Sequence, residues 1–177
     1  MLLPEMKVEI VPYDRKWREA FEAESKLVAA SLGGNTFSIH HIGSTSIPNI
    51  YAKPVIDILV EVIDIQDVDL YTTEMSTLGY EVMGEFGIPG RRYFRKDNEI
   101  GIRTHQIHAF QKGCVQITRH LAFRDYMIAH PEEAEKYSEL KRKLVELYAG
   151  DSESYMDGKD AFIQEIDRRA AQWILLI

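Results

Sequence analysis

Cysteine is almost absent from this chain. Of 177 residues only Cys114 carries a thiol, which excludes an internal disulfide framework and a zinc site built on several thiolates. No run approaches the ~20 apolar residues of a membrane span, so no membrane partner is expected. Positive charge is also in short supply. The 21 Lys and Arg face 28 Asp and Glu, a net charge of −7, which favours solubility and argues against general nucleic-acid or anionic-membrane binding. Any polyanionic ligand must then be held by a local basic patch. Met1 to Val11 has neither a basic segment leading into a long apolar core nor a cleavage site, so the expected location is cytoplasmic. Repeats, low-complexity tracts and linkers are missing too. The expectation is one domain over 1–177, large enough to bury ~70% of its unfolded surface.

What is present centres on one stretch. His40-His41-Ile42-Gly43-Ser44-Thr45-Ser46-Ile47-Pro48 is followed by Ala52-Lys53-Pro54-Val55-Ile56-Asp57-Ile58-Leu59-Val60-Glu61-Val62. It reads as a strand, a Gly-Ser turn, a short connection and a second, very apolar strand carrying Asp57. A lone carboxylate in a buried strand is costly unless it is paired, hydrogen-bonded or metal-bound. Gly43 and Ser44 offer close backbone approach and a hydroxyl, the ingredients of a phosphate cradle. Two readings stay open at this point. One is a metal–nucleotide site; the other is a tight turn followed by a core strand whose acid caps a neighbour.

Along the chain, Asp14 is placed to cap a helix with an apolar stripe of Trp17, Ala20, Phe21, Leu27 and Val28, ended by Gly33-Gly34-Asn35. Thr36 to Ile42 reads as a strand in which His40 and His41 point to opposite faces. Pro54 to Ile63 is the most strand-like segment. Apolar on both faces, it belongs in the middle of a sheet. A helix over Asp64 to Leu78 and strands over Tyr80 to Phe86, Arg91 to Lys96 and Ile102 to Phe110 are expected, joined by hairpin turns. From Val115 the texture is helical. His130-Pro131 breaks it, and Ala134, Tyr137, Leu140, Leu144 and Leu147 form the stripe of a second helix. A last helix runs from about Tyr155 into an apolar tail, Trp173 to Ile177, docked on the core or used between subunits of a homo-oligomer. The fold class is α+β, loosely α/β: a mixed sheet with an N-terminal helix and a helical C-terminal third. Helices from both ends are expected on one side of that sheet.

Several groups are candidates for chemistry. Arg91, Arg92, Arg95, Lys96 and Arg103 are the basic concentration of an acidic chain, able either to grip phosphate or to guard an edge hairpin. Lys53 lies close to the Gly-Ser turn along the chain path and is the better phosphate candidate. Tyr155 and Lys159, spaced i, i+4, share a helix face and can stack a base and touch phosphate, or simply line the surface. His105 and His108 fall on opposite strand faces, so one at most meets Asp57. Arg124 is placed to brace the sheet's carboxylates.

These motifs resemble the GrpB family of the nucleotidyltransferase superfamily, the fold of DNA polymerase beta. The resemblance runs from about Tyr13 to Phe162. It rests on His41 to Pro48, on Ala52 to Val60, on Thr104-His105-Gln106-Ile107-His108 and on His120-Leu121-Ala122-Phe123-Arg124-Asp125-Tyr126. Asn49 stands where the family usually has Gly, and Gln106 where it usually has His, which removes a metal or acid–base group. The resemblance implies metal-dependent nucleotidyl transfer or related phosphoryl transfer on a small molecule. Gly43, Ser44, Lys53 and Arg103 would bind phosphate; Asp57 would bind Mg or Mn, with His108 where the third acid would stand. The superfamily uses two acids at i, i+2 on one strand face to hold two metals. Here the first of these positions is Val55, and Glu61 lies roughly 13 Å along the strand. The alternative is therefore a non-catalytic module that binds a nucleotide or coenzyme A and has lost the metal pair.

Overall fold

The computed structural model describes residues 8–177. Asp14 starts the first helix as expected, its Oδ1 accepting the Lys16 amide at 2.9 Å. This helix, α1, spans Lys16–Leu32. The strands are β1 (Thr36–Ile42), β2 (Ile56–Val62), β3 (Glu81–Val82), β4 (Arg91–Asp97) and β5 (Arg103–Gln111). They form one mixed sheet in the order β1-β2-β5-β4-β3. β2 runs parallel to β5, and the other neighbours are antiparallel. β2 is thus internal, as its apolar character on both faces demands. Ile58, Leu59, Val60 and Val62 have no exposed surface at all.

Between Asp64 and Leu78 the expected single helix is broken into a 3-10 segment, Gln66–Tyr71, and the short helix α2, Thr72–Thr77. Asp64 Oδ1 takes the Gln66 amide at 2.9 Å, a local turn that competes with a regular helix start. The strand expected over Tyr80 to Phe86 is reduced to β3, because Gly84 and then Phe86 take positive φ values of 62° and 47° and bend the chain away. The helical part comprises α3 (Val115–Ala129), α4 (Pro131–Tyr148) and α5 (Ser152–Trp173). Pro131 occupies the first turn of α4, where its missing N–H costs nothing.

The layering corrects one expectation. Trp17, Val28 and Leu32 of α1 cover Ile56, Ile58, Val60 and Val62. By contrast, Ile117 and Leu121 of α3 cover Leu59 and Phe110. Helices from the two ends therefore lie on opposite faces, because a strand apolar on both sides needs two covers. A further cluster joins Ile47 and Ile50 to α3, α4 and α5. Trp173 and Ile174 dock there, whereas Leu175, Leu176 and Ile177 are 81–84% exposed. No helix among the described residues is long and apolar enough to cross a membrane.

Candidate functional site

The turn after β1 sets the geometry. Gly43 has φ +74° and ψ −178°, a conformation left almost entirely to glycine. A Cβ there would overlap Oδ2 of Asp57 and lie 3.0 Å from its Cγ. The missing side chain thus admits the carboxylate of the neighbouring strand. Ser44–Ser46 closes a 3-10 turn in which the Ser46 and Ile47 amides bond to Gly43 O and Ser44 O, each at 3.1 Å. Thr45 gives its hydroxyl proton to Val55 O at 3.2 Å and accepts from His41 Nε2 at 2.9 Å. His41 stacks on Phe21. Burial, opposed by Asp57 and aided by Arg124, lowers its pKa to about 4, so a neutral imidazole is the donor.

Asp57 stands opposite Gln106 in the parallel pairing of β2 with β5. His108 shares its face and brings Nε2 to 3.3 Å from Asp57 Oδ1. On its other side, His108 Nδ1 lies 3.4 Å from Arg91 Nη1. Arg91 is buried and fixed by donating to Glu85 O and Phe86 O. The order Arg91, His108, Asp57 orients the imidazole as a donor to the carboxylate. His105 lies on the opposite face, where its Nε2 is 3.9 Å from Glu24. Arg124 does not brace Asp57. It donates to His41 O at 3.1 Å and to Asp125 at 2.9 Å.

In front of Asp57 opens a cavity of about 280 Å³. Ser44, Lys53, Val55, Asp57, Tyr155 and Lys159 all line it, and so does Lys141 of α4. Gly43 sits behind the wall rather than in it. Val55 lines the wall beside Asp57. Tyr155 is only 1% exposed. Its ring carries two ammonium groups, Lys53 Nζ at 5.0 Å and Lys159 Nζ at 4.7 Å from the centroid. It is therefore occupied by cations, not open for stacking a base. Arg103 lies elsewhere, paired with Asp97 at 2.5 Å at the β4–β5 turn. Arg92 and Arg95 are likewise taken up, by Asp69 and Glu81. Apart from Arg91, that basic concentration is an ion-paired hairpin.

The lysines of the cavity differ from those arginines. Among the described residues none of the three makes an ion pair. Lys141 is 2% exposed, and its Nζ has no hydrogen-bond partner. That atom stands 4.5 Å from the centre of the Tyr137 ring. Burial, with Lys159 and Lys53 adding to it, pushes the Lys141 pKa down to about 7. Burial and Lys53 lower Lys159 to about 8 against the opposite pull of Asp57. Lys53 is lowered by burial and partly restored by Asp57. Sequence reasoning missed Lys141, although a signal existed. It falls in step with Ala134, Tyr137 and Leu144, which are buried on α4.

The donor set does not fit a two-metal centre. No group of three or more His, Cys, Asp or Glu side chains converges among the described residues. Asp57 is the one carboxylate in the cavity wall, and three cations stand around it. A larger concavity of about 470 Å³ borders β1 behind Thr45. Its Arg18 and Arg124 are paired with Glu22 and Asp125, which leaves little charge for a ligand.

The five-stranded mixed sheet with its flanking helices is a nucleotidyltransferase-like fold. A crystal structure of the Cid1 poly(U) polymerase with MgGTP superimposes with a TM-score of 0.51 at 15% identity, over 79% of this chain and 44% of that one. That likeness concerns the fold alone. The family model described as GrpB protein matches residues 7–169, and the chain belongs to that family. The crystal structure of the conserved protein GrpB from Enterococcus faecalis is similar with a TM-score of 0.90 and 43% identity, covering 94% of this chain and 99% of that one. UPF0157 protein YqkA of Bacillus subtilis is 44% identical over 172 residues, 97% of this chain and 50% of YqkA. The chain thus spans half the length of that curated relative.

Proposed function

We propose that this protein binds a phosphorylated small molecule, a nucleotide being the first candidate, in the cavity between the Gly43–Ser44 turn, β2 and α4–α5, and that it does so in the cytoplasm. One observation carries the reading. Three lysines that make no ion pair among the described residues converge on one cavity of a protein whose net charge is −7. Mutually repelling ammonium groups held out of water are costly unless something anionic joins them. Lys53, Lys141 and Lys159 would meet the phosphate oxygens, with the Ser44 hydroxyl as a neutral donor. Tyr155 positions two of the lysines through its ring face. Arg103 has no part in this site. Lacking the acid pair, the cavity is that of a binding module rather than a two-metal transferase.

A transfer reaction on the same ligand is favoured by one feature, the Asp57–His108 contact at 3.3 Å, which offers a proton acceptor at the cavity wall. Release of pyrophosphate from a nucleoside triphosphate, abolished in Asp57→Asn, would support that second reading.

The binding proposal is tested by thermal shift with nucleoside triphosphates and coenzyme A. A ligand at 100 times its dissociation constant stabilises the native state by about 2.7 kcal/mol. The expected outcome is a raised melting temperature for at least one ligand, lost in Lys53→Ala. No shift with any of them overturns the proposal.

A further inference from the structure

We infer that the cavity takes the di- or triphosphate group of its ligand as the free polyanion, with Lys53, Lys141 and Lys159 doing the neutralising that metal ions perform in two-metal phosphoryl transfer. This rests on the binding reading above and specifies how that site works.

The charges set the requirement. Three ammonium groups and one carboxylate, Asp57, leave the cavity two charges positive when all are ionised. A divalent cation entering there would meet repulsion from three sides. A polyphosphate without its metal carries the charge that balances the site, whereas bound Mg²⁺ removes two of those negative charges.

The oxygen donors agree with the charges. Oδ2 of Asp57 is packed against Gly43, and Oδ1 faces His108 Nε2. Of the oxygens that the strict octahedral shell of Mg²⁺ needs, the described wall offers those of one carboxylate, one of them already facing His108. Val55 adds no ligand.

Lys141 supplies the independent observation. Its Nζ is buried, reaches the cavity wall and has no acceptor among the described residues. An ammonium donates three hydrogen bonds and accepts none, so the partner it lacks must be an acceptor, and an oxyanion is the one that also settles its charge. The groups facing it from the surrounding elements are Tyr137, Lys53, Lys159 and, across the cavity, Asp57. The volume points the same way. At about 280 Å³ the cavity falls just below the usual range of ligand sites, ~300 to 1,000 Å³. It holds a polyphosphate end and leaves a nucleoside at its mouth.

Isothermal titration calorimetry on the full chain tests this, with tripolyphosphate and with ATP as probes, each in EDTA and in excess MgCl₂. Both probes are expected to bind in EDTA, and Mg²⁺ is expected to weaken them tenfold or more. Lys141→Met and Lys159→Gln should each weaken binding in EDTA at least tenfold while the melting temperature stays at or above that of the parent. Binding that requires Mg²⁺ would overturn the metal-free inference and leave the ligand reading standing. No binding in either condition would overturn both. Binding in EDTA that is unchanged in both variants would place the polyanion elsewhere and would also overturn both.

Discussion

At the scale of single residues, Lys141 and Gly43 carry the clearest consequences. Lys141 titrates near 7 folded against 10.5 for the free side chain. Between those values the unfolded chain holds the extra proton, so this residue makes stability rise with pH across that window and imposes its full penalty below it. Replacing buried ionic groups by apolar side chains of similar volume is often neutral or stabilising by about 1–4 kcal/mol. Lys141→Met should therefore raise stability at pH 6 by that order and flatten the rise between pH 7 and 10, as read by urea unfolding. Gly43→Ala should do the opposite. Its φ and its overlap with Asp57 predict a loss of about 1–3 kcal/mol, measurable by the same unfolding. A β-branched residue there would disturb the fold as well as the site.

At the scale of elements, α1 is fastened to the sheet by a buried polar group. Glu24 accepts from Tyr80 Oη at 2.7 Å and from Lys96 Nζ. Removing the acid strands a partly buried ammonium and a hydroxyl, so Glu24→Ala should cost about 3–5 kcal/mol, with the loss visible in denaturant midpoints. Elements whose local pattern is decisive were legible in the sequence. β1 and the internal position of β2 follow from strand alternation and two-sided apolarity. α4 shows where such reading stops. Its spacing pointed to Leu147 on the buried stripe, yet Leu147 is 70% exposed and Ser138 and Lys141 lie inside. Hydrophobic periodicity cannot assign a lysine to the interior, because the reason for burying it lies in another element. Gly43, Ser44, Lys53 and Asp57 were found together because one short stretch of chain holds them all. The opposite-face placement of α1 and α3 was not found, since periodicity says that a face is covered but not by which helix.

At the scale of the whole molecule, a positive cavity sits in an acidic body. Such a field admits a small anion close to the lysines while repelling long polyanions. The affinity for tripolyphosphate should therefore fall as salt is raised, and calorimetry at low and high ionic strength would show it. The cavity also has an unusual construction. Lys53 belongs to the segment before β2, Lys141 to α4 and Lys159 to α5, so like charges from three pieces of chain face each other across the cavity. In the empty protein the seam between the sheet and the last two helices is held closed against its own repulsion. A bound polyanion turns that repulsion into attraction and acts as an internal counterion, tying three separate pieces of chain to one centre. Amide hydrogen exchange in α4 and α5 should slow when the ligand binds and quicken as the ligand is removed, while exchange in α1 stays as it was.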